Sequence, residues 1–189
     1  MNITILIDGD NIGSEKLQGL HLLGEQDEII IFNNSASSYG AGTMNKLLNE
    51  CKCSIIQKRL TVTYKNSVDF AIAIELGRLK EVTGRIYAIC SGDNDLCHIA
   101  DIYNISYGKN NILLVGSDVK SIITQSIPFC VDNKERLKKI YKFLYKNHCS
   151  AALNKLGQIF IETPEEVAEQ KPIKKDTFFT LEKLRKVAI

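Results

Sequence analysis

Four aspartates stand where an apolar run gives way to an acidic loop, or to the first turn of an apolar helix. They are Asp8 in ILIDGDN, Asp69 in KNSVDFAIAIEL, and Asp93 and Asp95 in AICSGDNDL. In an open parallel sheet such loops gather at the carboxyl ends of the strands, where ligands bind. Carboxylates brought together there repel one another unless protons or cations compensate. An all-oxygen donor set of this kind suits Mg²⁺ or Mn²⁺. The chemistry to which the pattern points is metal-assisted hydrolysis of a phosphodiester.

Each position also has a plainer role open to it. Asp8 follows Ile7 at the exit of the first strand, Gly9 lets the turn tighten, and Asp10 and Asn11 share the loop. A lone aspartate at a strand end is commonly a turn former, while the Asn11 amide can orient Asp8 or a phosphate. Asp69 opens a helix, where the helix dipole favours a carboxylate by roughly 0.3–1 kcal/mol. Asn66 and Ser67 already supply capping groups there, which frees Asp69 for another task. Glu75 comes six residues later, roughly 120° around the helix from Asp69, and is a supporting candidate beside Asp10. In Ser91-Gly92-Asp93-Asn94-Asp95 the two acids can face one cation and Ser91 can bond a carboxylate or phosphate. The same turn also reads as a helix N-cap.

The elements that must position these residues alternate between strand and helix. Strands are expected at Ile3–Ile7, Glu28–Phe32, Ser54–Leu60, Arg85–Cys90 and Asn111–Val115, with a short sixth at Ile127–Val131. Helices are expected at Ser14–Leu23, Thr43–Cys51, from Asn66 or Ser67 to Lys80 with Ala71, Ile72, Ile74 and Leu76 as its apolar surface, and at Leu96–Tyr103. The separations suit right-handed βαβ crossovers, hence an α/β three-layer sandwich with a mostly parallel central sheet. The expected domain spans residues 1–131. Residues 132–189 read as a basic, mainly helical extension, opening with a stripe of Leu137, Ile140, Tyr141, Leu144 and Tyr145.

Residues 1–132 hold 11 Lys/Arg against 15 Asp/Glu, and residues 133–189 hold 13 against 7. An acidic front and a basic tail suit a metal site beside a surface that attracts polyanions, although lysine runs also simply solvate helix faces. Lys58, Arg59 and Lys65 are candidate phosphate contacts, and Tyr39, Tyr64 or Tyr107 candidate stacking partners for unpaired bases. His21, His98 and His148 are scattered, which disfavours metal-free cleavage by paired histidines. The six cysteines lack zinc-site spacing and read as free thiols. With no apolar run of about 20 residues and no signal-peptide pattern, a cytoplasmic location is expected.

IDGDN at the first strand, KNSVDFAIAIEL on a mid-chain helix and SGDNDL after a later strand resemble the NYN branch of the PIN-like nucleases over residues 1–131. That resemblance implies metal-dependent RNA cleavage, of endonucleolytic type, by Asp8, Asp69, Asp93 and Asp95 with Mg²⁺ or Mn²⁺. Asn11 and Ser91 match supporting positions. Single-stranded or structured RNA is the implied partner, and a homo-oligomer is compatible with it. Leu96 stands where the family usually has Phe, and Glu75 where many members have Asp. Asp8-Gly9-Asp10 with GDNDL also looks like the motifs of haloacid-dehalogenase-type phosphatases, with Asp8 as nucleophile and Asp10 as general acid. Ile12 departs from that pattern, and Asp69 is left unused by it. A non-catalytic RNA-binding module on the same fold is the third alternative.

Overall fold

The structure, a computed structural model, describes residues 2–34, 39–61, 64–79, 82, 84–107, 112–130 and 133–147. The chain divides into two compact units, Met1–Ile122 and Ile123 onward.

The first unit is built on five strands, β1 (Asn2–Asp8), β2 (Glu28–Asn33), β3 (Ser54–Arg59), β4 (Arg85–Cys90) and β5 (Ile112–Gly116). All neighbours pair in parallel, in the order β3-β2-β1-β4-β5. β1 lies at the centre because its residues are apolar in succession: Ile5, Leu6 and Ile7 are each 0% exposed, so both of its faces are covered. The chain steps outward from β1 through β2 to β3, then returns to the other side of β1 as β4. At such a reversal the connections leave β1 and β4 in opposite directions and open a crevice at the strands' carboxyl ends.

Helices α1 (Ala41–Glu50), α2 (Ser67–Leu79) and α3 (Asn94–Tyr107) follow β2, β3 and β4. Val68, Ile72, Leu76 and Leu79 recur along one stripe of α2 and join Leu96, Ala100 and Tyr103 of α3 in one buried cluster. That cluster rests on alternate strand residues, Leu6, Ile30, Phe32, Tyr87 and Ile89 among them. The Tyr87 hydroxyl crosses it to donate to the carbonyls of Leu79 and Val82, each at 2.9 Å. Ile74, expected as apolar helix surface, lies on the solvent side of α2 at 74% exposure. The stripe is narrower than composition suggests because Glu75 takes the neighbouring buried position.

Two expected elements differ. Ser14–Leu23 is not one helix but two 3-10 turns, Ser14–Leu17 and Leu20–Leu22, separated where Gly19 takes φ 101°. The left-handed backbone breaks the helix and lets Leu17, Leu20, Leu22 and Leu23 all be buried. The sixth strand is absent from the described part of Ile127–Val131, where Ile127–Phe129 is a 3-10 turn containing Pro128. Proline has no N–H to give a ladder. It directly follows an unanticipated helix, α4 (Val119–Ser126).

In the second unit α5 (Lys134–Lys146) starts at Asn133, whose side chain accepts from Arg136 N at 3.0 Å. Leu137, Ile140, Tyr141 and Leu144 are its buried stripe, and Tyr145 stacks on Tyr141 with ring centroids 6.4 Å apart. The expected tail beyond residue 147 lies outside the described residues. Among the described residues no helix is long and apolar enough to cross a membrane.

Candidate active site

Asp8 is the last residue of β1 and Ser91 the first after β4, so the parallel register sets them side by side at the reversal point. Both are 3% exposed. The Ser91 hydroxyl donates to Asp8 Oδ2 at 2.8 Å and accepts from Asp93 N at 3.0 Å. One small side chain thus orients the first carboxylate and places the loop carrying the third. Asp93 does serve as the N-cap of α3, its Oδ1 accepting from Asp95 N at 2.9 Å, and it also faces the crevice. Gly9 permits the turn after Asp8: its N–H donates to Phe32 O at 2.7 Å, and a Cβ there would meet that oxygen at 2.8 Å. The Asn11 amide oxygen lies 3.1 Å from where a Gly92 Cβ would stand, so the two acidic loops pack directly on each other.

A second chain of bonds brings in α2. Asn34, just past β2, donates to Asp10 through its backbone N–H at 3.0 Å and its side-chain amide at 2.5 Å. Its amide oxygen accepts from Ser67 Oγ at 3.0 Å. Through Asn34 the β1 loop holds the start of α2, and with it Asp69. The preceding Asn66 adopts φ 60°, a left-handed conformation asparagine tolerates better than most residues. Asn34 was not among the residues singled out from sequence. The signal available was its place at the carboxyl end of a strand adjoining β1.

These loops enclose an open cleft of about 350 Å³. Asp8, Asp10 and Asn11 line it from the first loop, Asn34 from the second, Asn66 to Asp69 from the start of α2, and Asp93 from the fourth strand's exit. Burial holds the Asp8 carboxyl above its ordinary value, offset in part by Ser91 and by backbone N–H groups. Asp69 is also raised, first by burial and then by repulsion from Asp8, Asp93 and Asp95. The fields of the other three aspartates therefore meet at Asp69. Asp95 acts from outside the lining, on the exposed first turn of α3.

Not every candidate gathers here. Glu75 is buried beneath Lys58 of β3 and Arg78 of its own helix, bonded to both, and does not line the cleft. Burial pushes its carboxyl up, but the bonds and charges of Arg78 and Lys58 outweigh that and hold it below its ordinary value. Lys58 is further committed by lying 5.6 Å over the Phe32 ring. Arg59 and Lys65 are exposed, one ending β3 opposite Asn33 and the other in the turn before α2. Tyr39 is a core residue, its hydroxyl donating to Ile12 O at 2.7 Å, whereas Tyr64 is 78% exposed. The Tyr107 side chain lies outside the described residues.

Among the described residues no group of three His, Cys, Asp or Glu side chains is placed to hold a metal ion by itself. The donors facing the cleft are carboxylate and amide oxygens, the chemistry of a hard divalent ion. Mg²⁺ in particular binds through one or two carboxylates and keeps several waters.

No family model, curated protein or solved structure matches this chain.

The site is therefore characterised by its own geometry: three buried or half-buried carboxylates lining one open cleft at a topological switch point.

Proposed function

We propose that this protein is a metal-dependent ribonuclease of the NYN/PIN-like kind, its first unit a three-layer α/β/α sandwich cleaving RNA phosphodiesters endonucleolytically. The observation that carries the reading is that Asp8, Asp69 and Asp93, from the ends of β1 and β4 and the start of α2, line one cleft, where burial and the charges of Asp8, Asp93 and Asp95 raise the Asp69 carboxyl. Such a cluster is least costly when a cation sits in it. Asp8, Asp69 and Asp93 would hold Mg²⁺ or Mn²⁺ directly or through water, with Asp95 adding negative field. A bound divalent ion would supply Lewis-acid activation of the phosphate and of the attacking water.

The chain's own residues do the rest. Ser91 keeps Asp8 in one orientation through its 2.8 Å bond, and Asn11 secures the facing loop over Gly92. Asn34 joins the Asp10 loop to Ser67 and so fixes where Asp69 stands. Arg59 and Lys65 are exposed and would attract the phosphate backbone, whereas Lys58 is held by Glu75. The phosphatase reading asks Asp10 to be a general acid, yet both of its oxygens accept from Asn34. It also leaves Asp69 without a task.

The test is cleavage of labelled RNA by the purified chain with and without Mn²⁺, alongside the Asp93→Asn variant. Metal-dependent cleavage by the wild type, lost by at least about 100-fold in the variant with RNA binding retained, is the expected result. A wild type that cleaves no RNA with either ion overturns the proposal. Release of phosphate from small esters instead would favour the phosphatase.

A further inference from the structure

Two thiols that the cleft does not use sit side by side on the short connector between α1 and β3. α1 ends where Cys51, in extended conformation, donates its N–H to Leu47 O at 3.0 Å. β3 begins directly after Cys53, where Ser54 N donates to Asp27 O at 3.1 Å. Between these two anchors the chain bends at Lys52 and Cys53. Trans peptides place Cα atoms two residues apart at roughly 5–7 Å, and a disulfide takes Cα atoms about 4.4–6.8 Å apart. Covalent geometry therefore supplies the separation. The fold adds direction, because the two side chains face each other and the Cys53 thiol donates to the Cys51 sulfur.

Exposure divides the pair. Cys53 is buried, whereas Cys51 is half-buried and partly open to solvent. The bond from Cys53 outweighs burial and the Glu50 charge and holds the Cys51 thiol below its ordinary value of 9.0. Cys53 is raised above that value by the same bond and then by burial. The thiolate is the nucleophile, so Cys51 is the reactive member and Cys53 the sheltered one. The other described cysteines stand singly in the sequence. Burial pushes Cys90 up to about 12, Cys130 is buried, and Cys97 is exposed on α3 with its thiol donating to Asp93 O at 3.8 Å.

We propose that Cys51 and Cys53 form a hydroperoxide-reactive dithiol, in which Cys51 is oxidised first and Cys53 closes a reversible disulfide within the chain. The Cys51 thiolate attacks the peroxide: an S–O bond forms, the O–O bond breaks, and the leaving hydroxide takes up the proton that Cys51 released. Loss of the thiolate ends the bond that held the Cys53 proton. The Cys53 sulfur then attacks the sulfenic sulfur, and its proton leaves with the displaced hydroxyl as a second water. Two thiols are thereby oxidised to one disulfide, and one peroxide is reduced to two waters. A dithiol reductant reverses the step by exchange. Nothing in this sequence draws on the carboxylate cleft or on the nuclease reading.

The experiment treats the reduced full chain with one equivalent of hydrogen peroxide at pH 7, alkylates the remaining thiols in urea, and maps the tryptic peptides. Cleavage after Lys52 separates the two cysteines, so peptides 47–52 and 53–58 stay joined only through a disulfide. The expected result is that joined pair, on a chain that runs as a single polypeptide in a denaturing gel without reductant. Dithiothreitol is expected to return it to two separate peptides. In Cys53→Ala the ring cannot close, and dimedone is expected to trap a sulfenic acid on Cys51. Iodoacetamide labelling of Cys51 is expected to slow about fivefold in the same variant, because the bond that favours the thiolate is gone. Wild-type peptides found separate and alkylated after peroxide overturn the proposal. So does oxidation of Cys97 ahead of the pair, or a link that forms only between chains or only in urea.

Discussion

At the scale of single residues, the Asp8 and Asp69 carboxylates are held at a cost to the fold. Asp69 is raised above its ordinary value of 3.8 by burial and by three neighbouring charges. Between 3.8 and that raised value the folded chain keeps a proton the unfolded chain has lost, so stability falls as pH rises through the window. Above it the unfavourable term is fully present. Asp69→Asn removes the charge and is expected to raise the melting temperature of the metal-free protein at pH 7. The same variant is expected to lose the upward shift that Mn²⁺ produces in the wild type, which differential scanning fluorimetry across a Mn²⁺ titration measures. A variant that melts lower without metal, and still responds to Mn²⁺, would show that Asp69 is only a favourable first-turn charge. Asp93 shows why the two roles need separating, since it caps α3 and faces the cleft at once.

At the scale of elements, α2 performs two tasks from its two ends. Its start delivers Ser67 and Asp69 to the cleft, and its third turn delivers Glu75 to Lys58 on the edge strand β3. That buried carboxylate pins the edge of the sheet to the helix. Glu75→Gln keeps the shape and removes the charge, and is expected to cost about 1.5–3 kcal/mol at pH 7, read from urea unfolding. Because the folded value of Glu75 lies below its ordinary 4.5, the stability it contributes is present above 4.5 and is lost as pH falls through the folded value. Mn²⁺-dependent activity of Glu75→Gln is expected to stay within about threefold of wild type under folding conditions, as its carboxylate is not in the cleft. A selective loss of activity with stability intact would return Glu75 to the catalytic set.

At the scale of the whole molecule, the cleft is acidic and a nucleic acid is a polyanion, so the proposed RNA binding would depend on cations outside the cleft. For single strands each phosphate contact contributes a slope of about −0.7 in log affinity against log salt. Removing Arg59 and Lys65 together is therefore expected to flatten that slope by about 1.4, measured by anisotropy between low and moderate salt. An unchanged slope would place the backbone path elsewhere.

Much of the architecture is legible in the sequence. β4 falls on Arg85–Cys90 as read, and α2 begins at Ser67, because a short uninterrupted apolar run and an apolar helical stripe are local signals. Asp8, Asp69 and Asp93 could be nominated because each stands at a strand exit or in a helix's first turn. Other features depended on partners far along the chain. Asn34 meets Asp10 across 24 residues and Ser67 across 33, and Lys58 meets Glu75 across 17. No window of sequence contains such pairs. The sequence by itself determined which segments become parallel strands and which acids stand at their ends, since periodicity and backbone preference act over a few residues. Only the tertiary structure decided which of those acids share one field, because strand order and loop-to-loop hydrogen bonds set the distances between charges.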